Sequence, residues 1–417
     1  LAMKSSSNTH RRSFLQAATG LALTGTAHIS LGATAETSSP GEVIRNDVDV
    51  LVVGGGTAGT IAAIQAGRAG ARTMVLERHS QLGGMTTTGG VSFPGLFDAW
   101  GKQIIAGIGW ELVKECVELD QGTLPDFSRI PKRHWHNQVV VNPFLYVLLA
   151  EEKCDEAGVA IAYHEFPTSV HAVAGGWEVD CVGFGTQRKV TCKQIIDCTG
   201  GAEVVGMLGL ARLREDETQP GSQLYQLDRP DNPGRSNLSR LYVHGADSSN
   251  SRTVTQASLV GRMEVLKKVR DSNKRLTFLQ QEPGFRESYR IVGETLISVD
   301  DYTAGRKFDD AICNAFYPVD LHTKTGVKPK PLKKGTVPTI PLGALIPKGS
   351  RNIMVAGRSL SSDRLANSGL RVQAPCMAMG QAAAATATLA VQQGRSPGEV
   401  PLKDIYALLL KHGALLP

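Results

Sequence analysis

Cysteine is scarce and scattered in this chain: seven residues in 417, at positions 116, 154, 181, 192, 198, 313 and 376, with no Cys-x-x-Cys and no pair at metal-ligand spacing. That excludes an iron–sulfur cluster, a cysteine-built zinc site and a dithiol redox pair. The odd count argues against a disulfide framework, and the apolar neighbours of Cys154, Cys181 and Cys198 mark buried free thiols. Excess charge is lacking too. The formal net charge is +6, but Lys4, Arg11 and Arg12 precede the first acid, Glu36, so the rest carries only +3 and offers no electrostatic basis for a nucleic-acid partner. Internal repeats and low-complexity tracts are absent beyond the leader. The apolar run of that leader holds too many small and hydroxyl residues for a transmembrane helix, so no stable membrane span is expected once it is removed.

What the chain does have is concentrated in residues 47–77, DVDVLVVGGGTAGTIAAIQAGRAGARTMVLE. Residues 48–53 form a β-branched run, the pattern of a parallel strand covered on both faces. Gly54, Gly56 and Gly59 then fill three roles in order: a tight turn, close approach of backbone to a pyrophosphate, and close packing of helix on strand. The small residues Ala58, Ala62, Ala63 and Ala66 let the following helix lie flat on the sheet, Gly70 ends it, and 72–77 returns as a second strand. Glu77 closes that strand where an acid hydrogen-bonds a ribose diol, which disfavours a 2′-phosphate and selects FAD or NAD over NADP. A lone glycine turn is weak evidence. Strand, turn, helix, strand and terminal acid together are strong.

Further along, Gly83-Gly84 lets backbone approach a ligand. Residues 91–135 resemble an insertion with one amphipathic run at 104–119, and Asn142-Pro143 caps a helix ended by Gly158. That helix feeds a strand at 159–166; residues 169–174, 177–183 and 189–198 then alternate around a Gly175-Gly176 hairpin, giving a small antiparallel sheet that leads into the strand Ile195-Ile196-Asp197-Cys198-Thr199-Gly200-Gly201. Polar, irregular sequence fills 210–345, with a charged helix at 255–272. A buried strand at 353–356, an alanine-rich helix from Pro375 to Gly394 and an amphipathic helix at 401–410 complete the chain.

The glycine turn with Glu77, the Gly83-Gly84 pair, the meander, the strand end at Thr199-Gly200 and Asn352-Ile353-Met354-Val355-Ala356-Gly357-Arg358 together resemble the FAD-dependent oxidoreductases of the glutathione-reductase fold. They resemble most closely the branch that includes the flavoprotein subunit of heterodisulfide reductase. The likeness spans 47–417 and includes Arg286-Glu287-Ser288-Tyr289-Arg290-Ile291-Val292-Gly293-Glu294, Tyr317-Pro318-Val319-Asp320-Leu321-His322 and Ser368-Gly369-Leu370-Arg371-Val372-Gln373. The cysteine-rich cluster segments of the heterodisulfide enzymes are missing, so that activity does not carry over, and Gly201 stands where the family usually has an acid. The resemblance implies an α/β chain: a Rossmann-like FAD-binding domain with a parallel sheet and a β-meander, plus an inserted α+β substrate domain. Its expected segments are an export signal at 1–35, FAD-binding parts at 46–92, 136–210 and 345–396, an insertion at 93–135, a substrate or cap domain at 211–344 and a C-terminal helix at 397–417. It further implies that FAD is held by Gly54, Gly56, Thr57, Ala58, Gly59, Glu77, Arg78, Gly83, Gly84, Met85, Val170, Thr199, Gly200, Gly357, Arg358, Arg371 and Val372. In such a fold the helix opened near Pro375 points its N-terminus at the flavin pyrimidine.

For the chemistry, 285–297 reads as a strand with Arg286, Ser288, Arg290 and Glu294 on one face, the two guanidiniums suiting an anionic substrate or reduced flavin. Asp320 and His322 suit an oriented acid and imidazole acting as a proton relay. Surface pairing of the arginines and a structural role for His322 is the plainer alternative. His134-Trp135-His136 would put two imidazoles on one strand face without a third ligand, so no metal is expected, and His79 is a remote candidate for a covalent flavin link. Gly183-Phe184-Gly185 lacks the third glycine and the helix, so no second dinucleotide domain for NAD(P)H is visible. His10-Arg11-Arg12-Ser13-Phe14-Leu15-Gln16 with Ala33-Thr34-Ala35 resembles a twin-arginine export signal cleaved after Ala35, which places the mature protein in the periplasm or otherwise outside. The expectation is an exported FAD-dependent oxidoreductase acting on a small-molecule substrate with an unknown electron acceptor. Its alternative is a noncatalytic or electron-carrying flavoprotein subunit.

Overall fold

The structure, a computed structural model, describes residues 43–229, 238–245, 247–323, 326–327 and 329–417; the leader lies outside the described residues. In chain order the elements that build the site are β1 (Val43–Val53), α1 (Thr57–Arg68), β2 (Thr73–Glu77), α2 (Ile108–Leu119), α3 (Pro143–Glu156), β3 (Ala160–Tyr163), β4 (Phe166–Val173), β5 (Gly176–Gly183) and β6 (Thr186–Asp197). They are followed by β7 (Gly221–Asp228), β8 (Ser239–Val243), α4 (Ser251–Arg270), β9 (Arg275–Leu279), β10 (Ile353–Val355), α5 (Gln373–Gln393) and α6 (Leu402–Lys411).

One seven-stranded sheet in the order β3-β2-β1-β6-β5-β4, with β10 also paired to β6, carries the fold. Strands β3, β2, β1, β6 and β10 run parallel where they pair, whereas β4, β5 and β6 form an antiparallel meander. The β-branched run 48–53 is buried as a two-sided strand demands, Val50, Leu51 and Val52 having no exposed surface. The meander is not the separate sheet expected from the alternation. Its third strand continues without a break into the strand that ends at Asp197, and Val43 to Val53 pairs along nearly all of it, from Gln187 to Asp197. A single twelve-residue strand therefore serves two halves of the sheet.

Asn142 caps α3 by accepting from the backbone N–H groups of Phe144 and Leu145, with Pro143 at the first helical position, as the sequence signals require. Helix α5 starts earlier than Pro375, at Gln373, and ends at Gly394 with φ 62°. Sixteen of its residues are buried, so a helix long and apolar enough to cross a membrane is here the centre of the core. It crosses α1 so closely that a Cβ on Gly380 would overlap the Ala58 backbone.

Two expected strands are not strands. In 285–297 only Arg290–Ile291 forms a strand, paired with Arg212–Leu213, while Gly293 and Ile297 make single bridges to Pro347 and Ser362. His134–Asn137 is a short 3-10 helix, so the two histidines do not share a strand face. Residues 211–344 contribute a second sheet, β8-β7-β9, with α4 packed on it. All seven cysteines are buried and unpaired.

Candidate active site

A cavity of about 350 Å³ opens where β1, β2 and β6 end, bounded by the first turn of α1, the start of α5 and the second sheet. The glycine turn shapes one end of it. Gly54 has φ 98°, and a Cβ there would sit 2.6 Å from the Cys198 carbonyl oxygen, so only glycine closes this turn against β6. Gly59 packs α1 on the turn, since a Cβ would overlap Gly54 O. Gly56 is different. It has φ −69°, nothing lies within 4 Å of its would-be Cβ, and it lines the cavity, so its missing side chain leaves a cradle open to a ligand.

Both helix N-termini at the cavity are left for an anion. Neither α1 nor α5 has a side-chain cap or an acid in its first turn, and their starting residues, Gly56 with Thr57 and Val372 with Gln373, line the space. Glu77, 5% exposed, accepts from Gly55 N at 2.7 Å and His79 N at 2.8 Å, which fixes its carboxylate at the cavity wall. Gly83, with φ 96°, donates to Gly55 O at 2.8 Å and brings Gly84 so near Gly56 that a Cβ on Gly84 would meet the Gly56 Cα at 2.8 Å. This set fits a dinucleotide: an open cradle, two uncapped helix starts for a diphosphate, and a carboxylate for a ribose diol.

Of the sequence-predicted residues, Gly54, Gly56, Thr57, Ala58, Glu77, Arg78, Gly84 and Met85 line the cavity from the first unit, and Thr199, Gly200, Gly357, Arg358, Arg371 and Val372 from the ends of later elements. Gly59 and Gly83 act behind the surface, through packing. Val170 does not reach it. Its side chain packs in the core cluster of the meander, and Glu165 to Pro167 lie against the cavity instead. Pattern reading also missed Asp197, whose Oδ1 accepts from Thr199 N and Oγ1 and whose Oδ2 accepts from Val205 N, tying the second glycine turn to β6. The signal was present, an acid two residues before Thr199. Gln280, on the far wall, donates to Gly89 O.

The opposite end of the cavity gathers charge. His322, 5% exposed, is held on three sides: its N–H donates to Gln219 Oε1 at 2.9 Å, its Nε2 is 3.0 Å from Asp320 Oδ2, and its Nδ1 is 2.9 Å from the Tyr242 hydroxyl. Burial and the nearby Arg286 hold the imidazole below its ordinary pKa against the opposing pull of Asp320. In the neutral ring Nε2–H donates to Asp320 and Nδ1 accepts from Tyr242. Burial pushes the Asp320 carboxyl up, but the hydrogen bond from His322 and the charge of Arg371 outweigh it and the net shift is downward.

Arg286 and Arg290 part company here. Arg286 lines the cavity, its Nη1 donating to Pro220 O at 2.7 Å and Nη2 to Ser222 Oγ at 2.8 Å. Arg290 turns away: its Nε donates to Ser362 O at 2.9 Å and its Nη2 pairs with Glu215 at 2.6 Å, so the shared polar face does not exist. Glu287, between them, accepts from Gln219 N, Gln219 Nε2 and Arg364 Nε and so braces the loop that carries His322. Arg358 donates to Gly200 O at 2.6 Å, Ser248 Oγ at 2.7 Å and Phe285 O, and burial lowers its pKa to about 10. His79 lies at the rim against Glu282, at 3.1 Å.

A sequence model of the family described as FAD dependent oxidoreductase matches residues 49–259 and 246–409. Thiamine thiazole synthases of Methanococcus vannielii and Methanococcus maripaludis are 48% identical to the chain over 50 residues, 12% of this chain and 19% of theirs, so the match spans about a fifth of those relatives. Similar solved structures include the OxyS anhydrotetracycline hydroxylase from Streptomyces rimosus, at TM-score 0.45 and 14% identity over 88% of this chain and 66% of that one. Another is the p-nitrophenol 4-monooxygenase PnpA from Pseudomonas putida, at TM-score 0.43 and 12% identity over 88% and 89%.

Proposed function

The chain belongs to the FAD-dependent oxidoreductase family, and from that premise we propose that it passes a hydride between a small organic substrate and its FAD, with Arg286, Asp320 and His322 serving the substrate. The observation that carries this reading is that one cavity joins the phosphate cradle at Gly56 to the charged cluster at His322. FAD, when bound, supplies a two-electron acceptor. The residues of the chain do the rest. The neutral imidazole of His322, oriented by Asp320, takes up a proton from the substrate, and Arg286 and Arg371 hold negative charge that develops beside it. The first turns of α1 and α5 bind the diphosphate and stabilise negative charge on the ring system. We further propose, on Arg11-Arg12 and Ala33-Thr34-Ala35, that the protein is exported through the twin-arginine route and hands its electrons to an acceptor outside the chain.

Anaerobic bleaching of the purified flavoprotein by a panel of alcohols, amines and sugar acids tests the enzymatic reading. Turnover with at least one of them is expected. A flavin that none of them reduces, in protein that still exchanges electrons with a mediator, would favour a carrier subunit instead.

A further inference from the structure

The cluster around His322 is over-supplied with positive charge. Arg240, Arg286 and Arg371 line this end of the cavity, and among the described residues Asp320 is the cavity-lining carboxylate that acts on Arg286 and Arg371, with Glu287 acting on Arg371 from outside the cavity lining. Among the described residues no carboxylate oxygen lies within 4 Å of the Arg286 guanidinium. It is held from behind by a carbonyl and a hydroxyl, both neutral, and Asp320 acts on its charge only from beyond ion-pair distance. Arg371 touches Asp320 only loosely, at 3.7 Å, and its buried Nε has no partner. Burial, together with the repulsion of Arg371 and Arg240, drags the Arg286 pKa down to about 9. Two half-buried guanidiniums that repel each other, one with a buried donor left unfilled, are destabilising unless an anion joins them.

We infer that the missing anion is the carboxylate of the substrate, and that the enzyme acts on hydroxy carboxylates, held by Arg286 and Arg371 with the hydroxyl turned to the His322 and Tyr242 pair. This rests on the flavoenzyme reading above and specifies its substrate. Guanidinium forks recognise carboxylates by paired N–H donors, which an alcohol or ketone cannot answer. The relay explains why a hydroxyl accompanies the acid. Nε2–H of His322 is committed to Asp320, so the ring has one basic nitrogen, Nδ1, and that nitrogen already takes a hydrogen bond from the Tyr242 hydroxyl. On oxidation the carbinol C–H bond breaks and its hydride, with both electrons, goes to FAD. The O–H bond breaks and its proton enters the Tyr242–His322 pair, where Asp320 holds the imidazolium, and the C–O bond becomes C=O. Hydroxy acid and oxidised flavin become oxo acid and reduced flavin, and no other reactant is needed.

The test uses the FAD-loaded protein without oxygen, with glycolate, lactate and gluconate each set against its uncharged amide, and oxalate as an anion that cannot be oxidised. At least one hydroxy acid should bleach the flavin at least about 100 times faster than its amide. Oxalate should perturb the flavin spectrum saturably and compete with that acid. Arg286→Gln should weaken oxalate binding at least about 30-fold, as loss of a charged hydrogen bond does, with FAD content unchanged, and Arg286→Lys should restore part of it. Amides that reduce the flavin as fast as their acids, or oxalate that fails to bind or binds Arg286→Gln and Arg371→Gln as tightly as the parent, would overturn the inference. Protein that takes up no FAD defeats the underlying flavoenzyme reading instead, and is separated from these outcomes by its spectrum before any acid is added.

Discussion

Replacing Gly56 by alanine should separate binding from folding, because its added side chain would meet the cavity and no protein atom. Its φ of −69° is open to any L-residue, and the added methyl would meet nothing within 4 Å. Two small terms act on the ligand-free fold. Losing glycine entropy from the unfolded chain stabilises by about 0.4–1 kcal/mol, and alanine is a poorer N-cap than glycine by roughly a similar amount, so the melting temperature of the apoprotein should barely move. Binding is another matter, since the methyl projects into the cradle. If the dissociation constant for FAD rises about 100-fold, then at FAD equal to about 100 times the parent's constant the stabilisation by ligand falls from about 2.7 to about 0.4 kcal/mol. The FAD-induced rise in Tm, read by calorimetry or dye fluorescence, should shrink to about a sixth. Gly59→Ala is the contrast: its methyl would overlap Gly54 O, so the apoprotein itself should be destabilised by about 1–3 kcal/mol. A Gly56→Ala protein that keeps FAD with the parent's constant, or whose apo form melts as early as Gly59→Ala, would refute the assignment of the cradle.

Arg290→Ala should lower stability by about 1–3 kcal/mol, through the lost bonds to Glu215 and Ser362 O, while flavin reduction per folded molecule stays near the parent rate, measured by denaturant melts beside anaerobic stopped flow. His322→Ala should slow flavin reduction at least about a hundredfold at unchanged FAD content. Because the folded imidazole titrates below 6.5, the parent's reduction rate should be flat at pH 7 and fall only on the acid side of 6.5. The same depression means the unfolded chain takes up this proton first, so the stability tied to His322 is present above pH 6.5 and is lost as pH falls from 6.5 to the folded pKa. That tied to Asp320, also depressed, is lost only below 3.8, and urea melts across pH should show two separate declines. Seven buried thiols, with Cys116 pushed by burial to about 11, should leave the native protein inert to a thiol reagent, and seven equivalents should appear in denaturant.

The nucleotide end was legible because its constraints are local. A turn that admits only glycine, an acid at a strand end and a cap before a proline each act over a few residues, and all of them stand where the pattern put them. The charged end was half legible. Arg286, Asp320 and His322 do meet, but Arg290 does not join them, since alternation fixes a face only where a strand is paired, and 285–289 is unpaired backbone whose side chains are aimed by Pro220, Ser222 and Gln219. Val170 packs in the core cluster of the meander while Glu165 to Pro167 take the cavity wall, and which meander residues reach the cavity is information that lies in no short window. Tyr242 and Gln219, which complete the surroundings of His322, come from 80 and 103 residues away and carry no motif.

The close crossing of α1 and α5 sets an order of events during synthesis. Strand β1 can pair with β2 early but finds its second partner, β6, only once Asp197 has emerged, β10 adds to β6 at Val355, and α1 rests on a helix that ends at Gln393. Contacts between such distant segments form slowly. The nucleotide cradle is therefore among the first parts of the described chain to be translated and among the last to be finished, and until α5 arrives the face of α1 that packs on it stays uncovered. A ribosome stalled before Gln373 leaves a chain in which the face of α1 that packs on α5 meets water, an exposure that chaperones and proteases recognise. Cofactor loading and completion of the fold thus converge on the same moment, after nearly all of the polypeptide exists.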